Sequence, residues 1–156
     1  MRDKALICIH RGGDLSREDH RNLNSWARKC CFEMLKLSEI PLDNNLINAF
    51  EISELWEKGK VSVGEVRKMS VLYHQLAREA TDVLYWNIYR AIGHSLVCAH
   101  MADHCLGVVY YGVKALQVKG LSKEETIDCQ LKLLHKSYPH LLPVVIRNLE
   151  RKKIIP

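Results

Sequence analysis

Three histidines, two cysteines and an aspartate stand between Ala91 and Gly112, in the run AIGHSLVCAHMADHCLGVVYYG. These residue types serve transition-metal ligation, general acid–base transfer and thiol nucleophilia. His100 and His104 have the spacing at which one helix face can offer two imidazoles to a zinc ion. A hydrolytic zinc site of that kind also needs a glutamate beside the first histidine and a third ligand. Met101 occupies the glutamate's place. Drawn on one helix, His94 shares a stripe with Cys98, Met101 and Cys105, whereas His100 and His104 share another with Gly93, Gly107 and Tyr111. Asp103 points away from that second stripe. One helix therefore cannot bring the three imidazoles to one ion. Cys98 follows His94 by four residues, but a mid-helix thiol lacks the N-terminal amides that lower its pKa and hold an oxyanion.

The expectation is thus no catalytic residue, no metal and no cofactor. Small residues (Ala91, Gly93, Ala99, Ala102, Gly107, Gly112 and Ala115) allow neighbouring backbones to close in, and imidazoles in such a core fill volume and bond across helices. The segment YHQLARE supplies partners in His74, Arg78 and Glu79, and Arg90 lies one turn before His94. The candidate polar cluster is His74, Arg78, Glu79, Arg90, His94, His100 and His104. The alternative is a metal-dependent or acid–base enzyme using His74, His94, His100 and His104 between the third and fourth helices.

The elements that must position these residues are helical. Leu23, Trp26, Ala27, Cys30, Met34 and Leu37 recur at three- and four-residue steps from about Asp19, and Pro41 ends that helix. Asp43 caps a second helix that closes at Gly59. SVGE at 62–65 is a capping box for a third, which places Val66, Met69, Tyr73, Leu76, Ala77 and Ala80 on one stripe. A long apolar segment runs from about Val83 to Leu116 and is expected to break once. SKEE at 122–125 is a second capping box, opening a helix to about Lys136, and Pro139 and Pro143 frame a last short helix ending in RNLERKK. KALICI alone is strand-like, with nothing to pair with it. The prediction is an all-α fold, a single bundle of about six helices with an apolar His/Cys-containing helix at its centre. It forms one domain over residues 1–156, in which 1–15 is poorly defined.

Composition narrows the function classes. The chain of 156 residues carries a formal charge of +5. Its basic residues are scattered, so nucleic-acid binding is not expected. The six cysteines follow no framework spacing and form no CxxC pair, which reads as free thiols in a reducing cytoplasm. No apolar run approaches the ~18 residues of a membrane span.

The stretch from Val61 to Leu116 resembles a family of small helical bacterial proteins assigned as immunity proteins of polymorphic toxin systems. The resemblance rests on Gly59, on the H-x-x-A-R pattern of His74, Ala77 and Arg78, on Gly93-His94, Ala99-His100 and His104, and on Tyr111 with Lys114-Ala115. It covers about Trp56 to Leu116 well, and more loosely the first helix and the helix around Gln130. Cys105 stands where the family prefers alanine, and Cys129 where a tryptophan often precedes the glutamine. The resemblance implies a non-enzymatic protein that binds and neutralises a toxin domain, carried on a mobile gene cassette. Its partner is then a protein, with homo-oligomerisation left open. A basic protein suits an acidic partner surface, and Trp56 and Tyr138, near helix ends, are better placed as anchors than Trp86.

Overall fold

The computed structural model describes residues 1–156 and is all-helical, with no strand. Its α-helices are α1 (Arg17–Leu37), α2 (Asn44–Glu57), α3 (Val63–Glu79), α4 (Val83–Val97), α5 (Cys105–Val118), α6 (Lys123–Ser137) and α7 (Leu142–Arg151). The starts follow from local chemistry. Ser16, Asp43 and Asp82 accept bonds from the first-turn amides of α1, α2 and α4. Complete capping boxes form at Ser62/Glu65 and Ser122/Glu125. Gly59 and Gly120 take the left-handed conformation just past α2 and α5.

Seven helices stand where about six were expected, and the break expected within Val83–Leu116 divides it into α4 and α5. The break falls at Val97–Met101, inside the histidine stretch, and neither proline nor glycine marks it. Met101 adopts extended backbone, and a 3-10 turn over Ala102–His104 leads into α5. The freed carbonyl of Cys98 accepts a 2.6 Å bond from Nε2 of His20 on α1. A helix end otherwise leaves such carbonyls orphaned. Asp103 pairs with Arg2 at 3.1 Å, and Arg11 Nη2 donates to His100 Nδ1 at 3.2 Å. Three distant contacts thus hold the break open.

After the break α5 runs back along α4, and α4 lies between α3 and α5 with α1 packed across both helices of the pair. Trp26 is buried on α1 and its Nε1 donates to the carbonyl of Gln130 on α6 at 2.9 Å. The segment before α1 makes two 3-10 turns and buries Leu6, Cys8 and Leu15, and Cys8 and Leu15 form an isolated bridge. Asp3 caps the first of these turns and takes bonds from Arg147 and Asn148 of α7. The Ala5 amide first, then Arg147 and Asn148, hold its carboxyl down at about 2.

All six cysteines are free thiols. Cys30 and Cys31 on α1, Cys98 at the end of α4 and Cys105 on α5 are fully enclosed, and burial drives their pKa upward, Cys31 to about 12. A thiol that stays protonated is a poor nucleophile. Maleimide labelling of the native protein followed by mass spectrometry should therefore find Cys129 modified first. Modification of Cys30, Cys31, Cys98 and Cys105 should wait for unfolding. Rapid native labelling of Cys98 or Cys105 would refute this.

Candidate functional site

The fold of α5 back onto α4 decides which histidines meet. His94, in the last turn of α4, faces His104 at the start of α5, and their Nδ1 atoms are 3.2 Å apart. His74 of α3 closes on the other side, its ring edge-on to His94 with centroids 5.2 Å apart. Arg90, one turn before His94, donates from Nη1 to His74 Nδ1 at 3.0 Å. The ring of Tyr111 on α5 stacks on His94 at 5.3 Å, and Trp86 meets Tyr111 edge-on. Arg90 in turn lies over the Trp86 ring. Three helices are clamped by one chain of rings.

Two glycines make the clamp fit. A Cβ on Gly93 would lie 2.8 Å from Cε1 and Nε2 of His74. A Cβ on Gly107 would lie 2.6 Å from Cγ and Nδ1 of His94. Both distances are well inside van der Waals contact, so each histidine sits on bare helix backbone that any other residue would fill. Glycine costs a helix interior about 1 kcal/mol relative to alanine. Here that cost admits an imidazole.

Protonation states follow from the bonding. A guanidinium only donates, so His74 Nδ1 is the acceptor and His74 carries its proton on Nε2. Between His94 and His104 one Nδ1 must donate and the other accept, so both cannot be charged without losing the bond. Burial, then the Arg90 charge, pulls the pKa of His74 down to about 4. Burial, then His104, His74 and Arg90, pulls His94 down to about 3. His104 is lowered mainly by burial, against a smaller opposing effect of Asp103. The three imidazoles are neutral at pH 7 beside the charged Arg90.

Of the seven candidate residues, the structure brings together His74, Arg90, His94 and His104. They are half-buried. His100 leaves the group at the helix break and is held by Arg11. Arg78 is exposed and acts on His74 only as a nearby charge. Glu79 is exposed and accepts a bond from Gln75, one turn back on α3. The single-helix geometry read from the sequence is corrected accordingly: His100 and His104 share no helix face, and His94 and His104 are neighbours. Sequence reasoning passed over Trp86 and Tyr111 as members of the cluster. Gly93 and Gly107, lone glycines inside helical patterns, were the available signal for a close approach.

A cavity of about 850 Å³ opens beside His94 and His104, between the start of α5, the end of α7 and the first residues of the chain. Arg2, Lys152, Asp103 and Tyr110 also border it. No group of three or more His, Cys, Asp or Glu side chains is placed to hold a metal ion. The nearest carboxylate, Asp103, is engaged by Arg2 and makes no hydrogen bond to an imidazole. The imidazoles hydrogen-bond as neutral groups and join α3, α4 and α5. No helix is long and apolar enough to cross a membrane.

No curated protein and no solved structure matches the chain. A family model described as Imm-5 like putative immunity protein matches residues 13–137, which run from just before α1 to the end of α6 and hold the entire histidine clamp. The chain belongs to the Imm-5 like putative immunity protein family.

Proposed function

We propose that the protein is a non-enzymatic binding protein of the cytoplasm that neutralises a toxin domain by masking it. The observation that carries this reading is the family match over residues 13–137. The state of the histidines supports it. They bond to one another and to Arg90, and no carboxylate orients any of them for proton transfer. Their role is to lock the helices whose outer surfaces meet the partner.

The test is coexpression with the toxin domain encoded beside it. Host survival, a stable complex of the two purified proteins and loss of the toxin's activity are the expected results. His104→Gln should still neutralise wherever it folds, because masking needs the fold and not the imidazole. A folded His104→Gln protein that no longer neutralises would shift the function to histidine chemistry in the adjoining cavity. Failure of the parent to form any complex with the toxin domain would end the masking proposal.

A further inference from the structure

A second cavity, of about 330 Å³, lies where the first turns of α1 meet the end of α2 and the segment before α1. Arg17, His20 and Arg21 reach it from one face of α1, Arg11 and His10 from the preceding segment, and Trp56 from α2. No aspartate or glutamate borders it. Elsewhere Arg2, Arg28, Arg147 and Arg151 each meet a carboxylate, whereas Arg67, Arg78 and Arg90 stand singly without one. Arg17 and Arg21 form no salt bridge, and neither does Glu18, which lies in the same helical turn. Like charges four residues apart on a helix repel. Free of a partner, this corner stores repulsion that an anion relieves.

The floor of the cavity is fixed before anything binds. His20 is buried, tied by Nε2 to the Cys98 carbonyl at 2.6 Å, with its ring 5.1 Å from that of half-buried Trp56. Burial lowers the pKa of His20 against the opposing bond to the Cys98 carbonyl, and the neighbouring positive charges of His10, Arg11 and Arg21 lower it further. Arg11 is steered by its contact with His100, the histidine that the helix break sends away from the clamp.

We propose that this cavity receives an acidic segment of the protein partner, its carboxylates taken by Arg11, Arg17 and Arg21 and an apolar side chain laid against Trp56. The proposal rests on the reading of the protein as a toxin-binding partner. The guanidinium fork matches a carboxylate with two parallel bonds. Arginine and tryptophan are the residues that most often dominate interface energetics. The cationic groups form one compact hollow around a single aromatic and not a track with repeated stacking platforms, which fits a short peptide segment better than a nucleic-acid strand.

The experiment compares the parent with Arg17→Glu/Arg21→Glu and with Lys123→Glu/Lys136→Glu, which makes the same charge change on α6. A glutamate at position 17 suits the first turn of α1, so the first variant should fold, and circular dichroism checks it. A capped Glu-Glu-Leu-Glu-Glu peptide should shift the Trp56 indole N–H signal in the parent and in the α6 variant, with a binding constant that weakens as salt rises. It should leave that signal unmoved in Arg17→Glu/Arg21→Glu. Affinity for the toxin domain should fall at least a hundredfold in Arg17→Glu/Arg21→Glu and less than threefold in the α6 variant. A toxin domain that binds both charge-reversed proteins equally overturns the inference while leaving the function standing. A parent that binds no toxin domain sinks the function instead, and the peptide then decides the cavity by itself. A single-stranded hexanucleotide that outcompetes the peptide, and is lost in the same variant, assigns the site to phosphates and overturns the proposal.

Discussion

Acidification from pH 7 to pH 5 is expected to lower the stability of the protein by about 2–4 kcal/mol through the histidine clamp. In the unfolded chain each imidazole titrates near 6.5, whereas burial and neighbouring positive charge hold His94 at about 3 and His74 at about 4. Below pH 6.5 the unfolded state binds protons that the folded state refuses, so stability falls as pH drops and keeps falling towards the folded values. Each fully shifted histidine contributes about 2 kcal/mol by pH 5. The partial exposure of the rings and the coupling of His94 with His104 keep the total below the simple sum. The window is separate from that of the carboxylates. Asp3, held at about 2 against an ordinary value of 3.8, withdraws its support only below pH 4. Denaturant unfolding at pH 8, 7, 6 and 5 measures the effect, and His94→Gln should flatten the profile between 7 and 5. Stability that rises on acidification, or a His94→Gln profile parallel to the parent's, would show that the imidazoles are not held neutral.

Gly107→Ala is expected to destabilise the fold by about 1–3 kcal/mol, although alanine is the better helix former. The added methyl meets His94 at Cγ and Nδ1, near the root of the side chain, where the ring cannot swing clear without leaving both His104 and Tyr111. Gly93→Ala should cost less, because it meets the far edge of His74. Gly64→Ala supplies the opposite sign. Gly64 lies in the first turn of α3 and a methyl there finds only the Ser62 hydroxyl at 3.6 Å, so the substitution should stabilise by about 0.5–1 kcal/mol. Thermal unfolding of the three variants gives the order. Equal effects at positions 64 and 107 would mean that His94 is free to move.

The helix starts and stops were legible because their causes are local. Ser62 with Glu65, Ser122 with Glu125, Asp43, Gly59 and Gly120 each act within a turn of their own residue. A single break within Val83–Leu116 was expected, but its place at Val97–Met101 was not legible, because nothing local fixes it: alanine, cysteine and methionine there would continue a helix. Its supports come from His20, Arg11 and Arg2, all far away along the chain. The position of the break decides the site, since it separates His100 from His104 and turns His104 towards His94. Of the expected polar neighbours His74, Arg78 and Arg90, the structure places His74 of α3 against Arg90 of α4, where they bond to each other. Arg78 and Glu79 share α3 with His74 but point to solvent.

The glycine seats also bind the evolutionary fates of their positions together. Position 107 can enlarge only where position 94 has given up its ring, and position 93 only where the ring at position 74 shifts or is lost. A drifting lineage that loses the imidazole first opens a hole, and one that gains the methyl first meets a clash. Either single step passes through a weakened protein. Exchange at these sites should therefore be paired, glycine with histidine on one side and a larger residue with a smaller one on the other, and the pairing should hold even among relatives whose toxin partners differ completely.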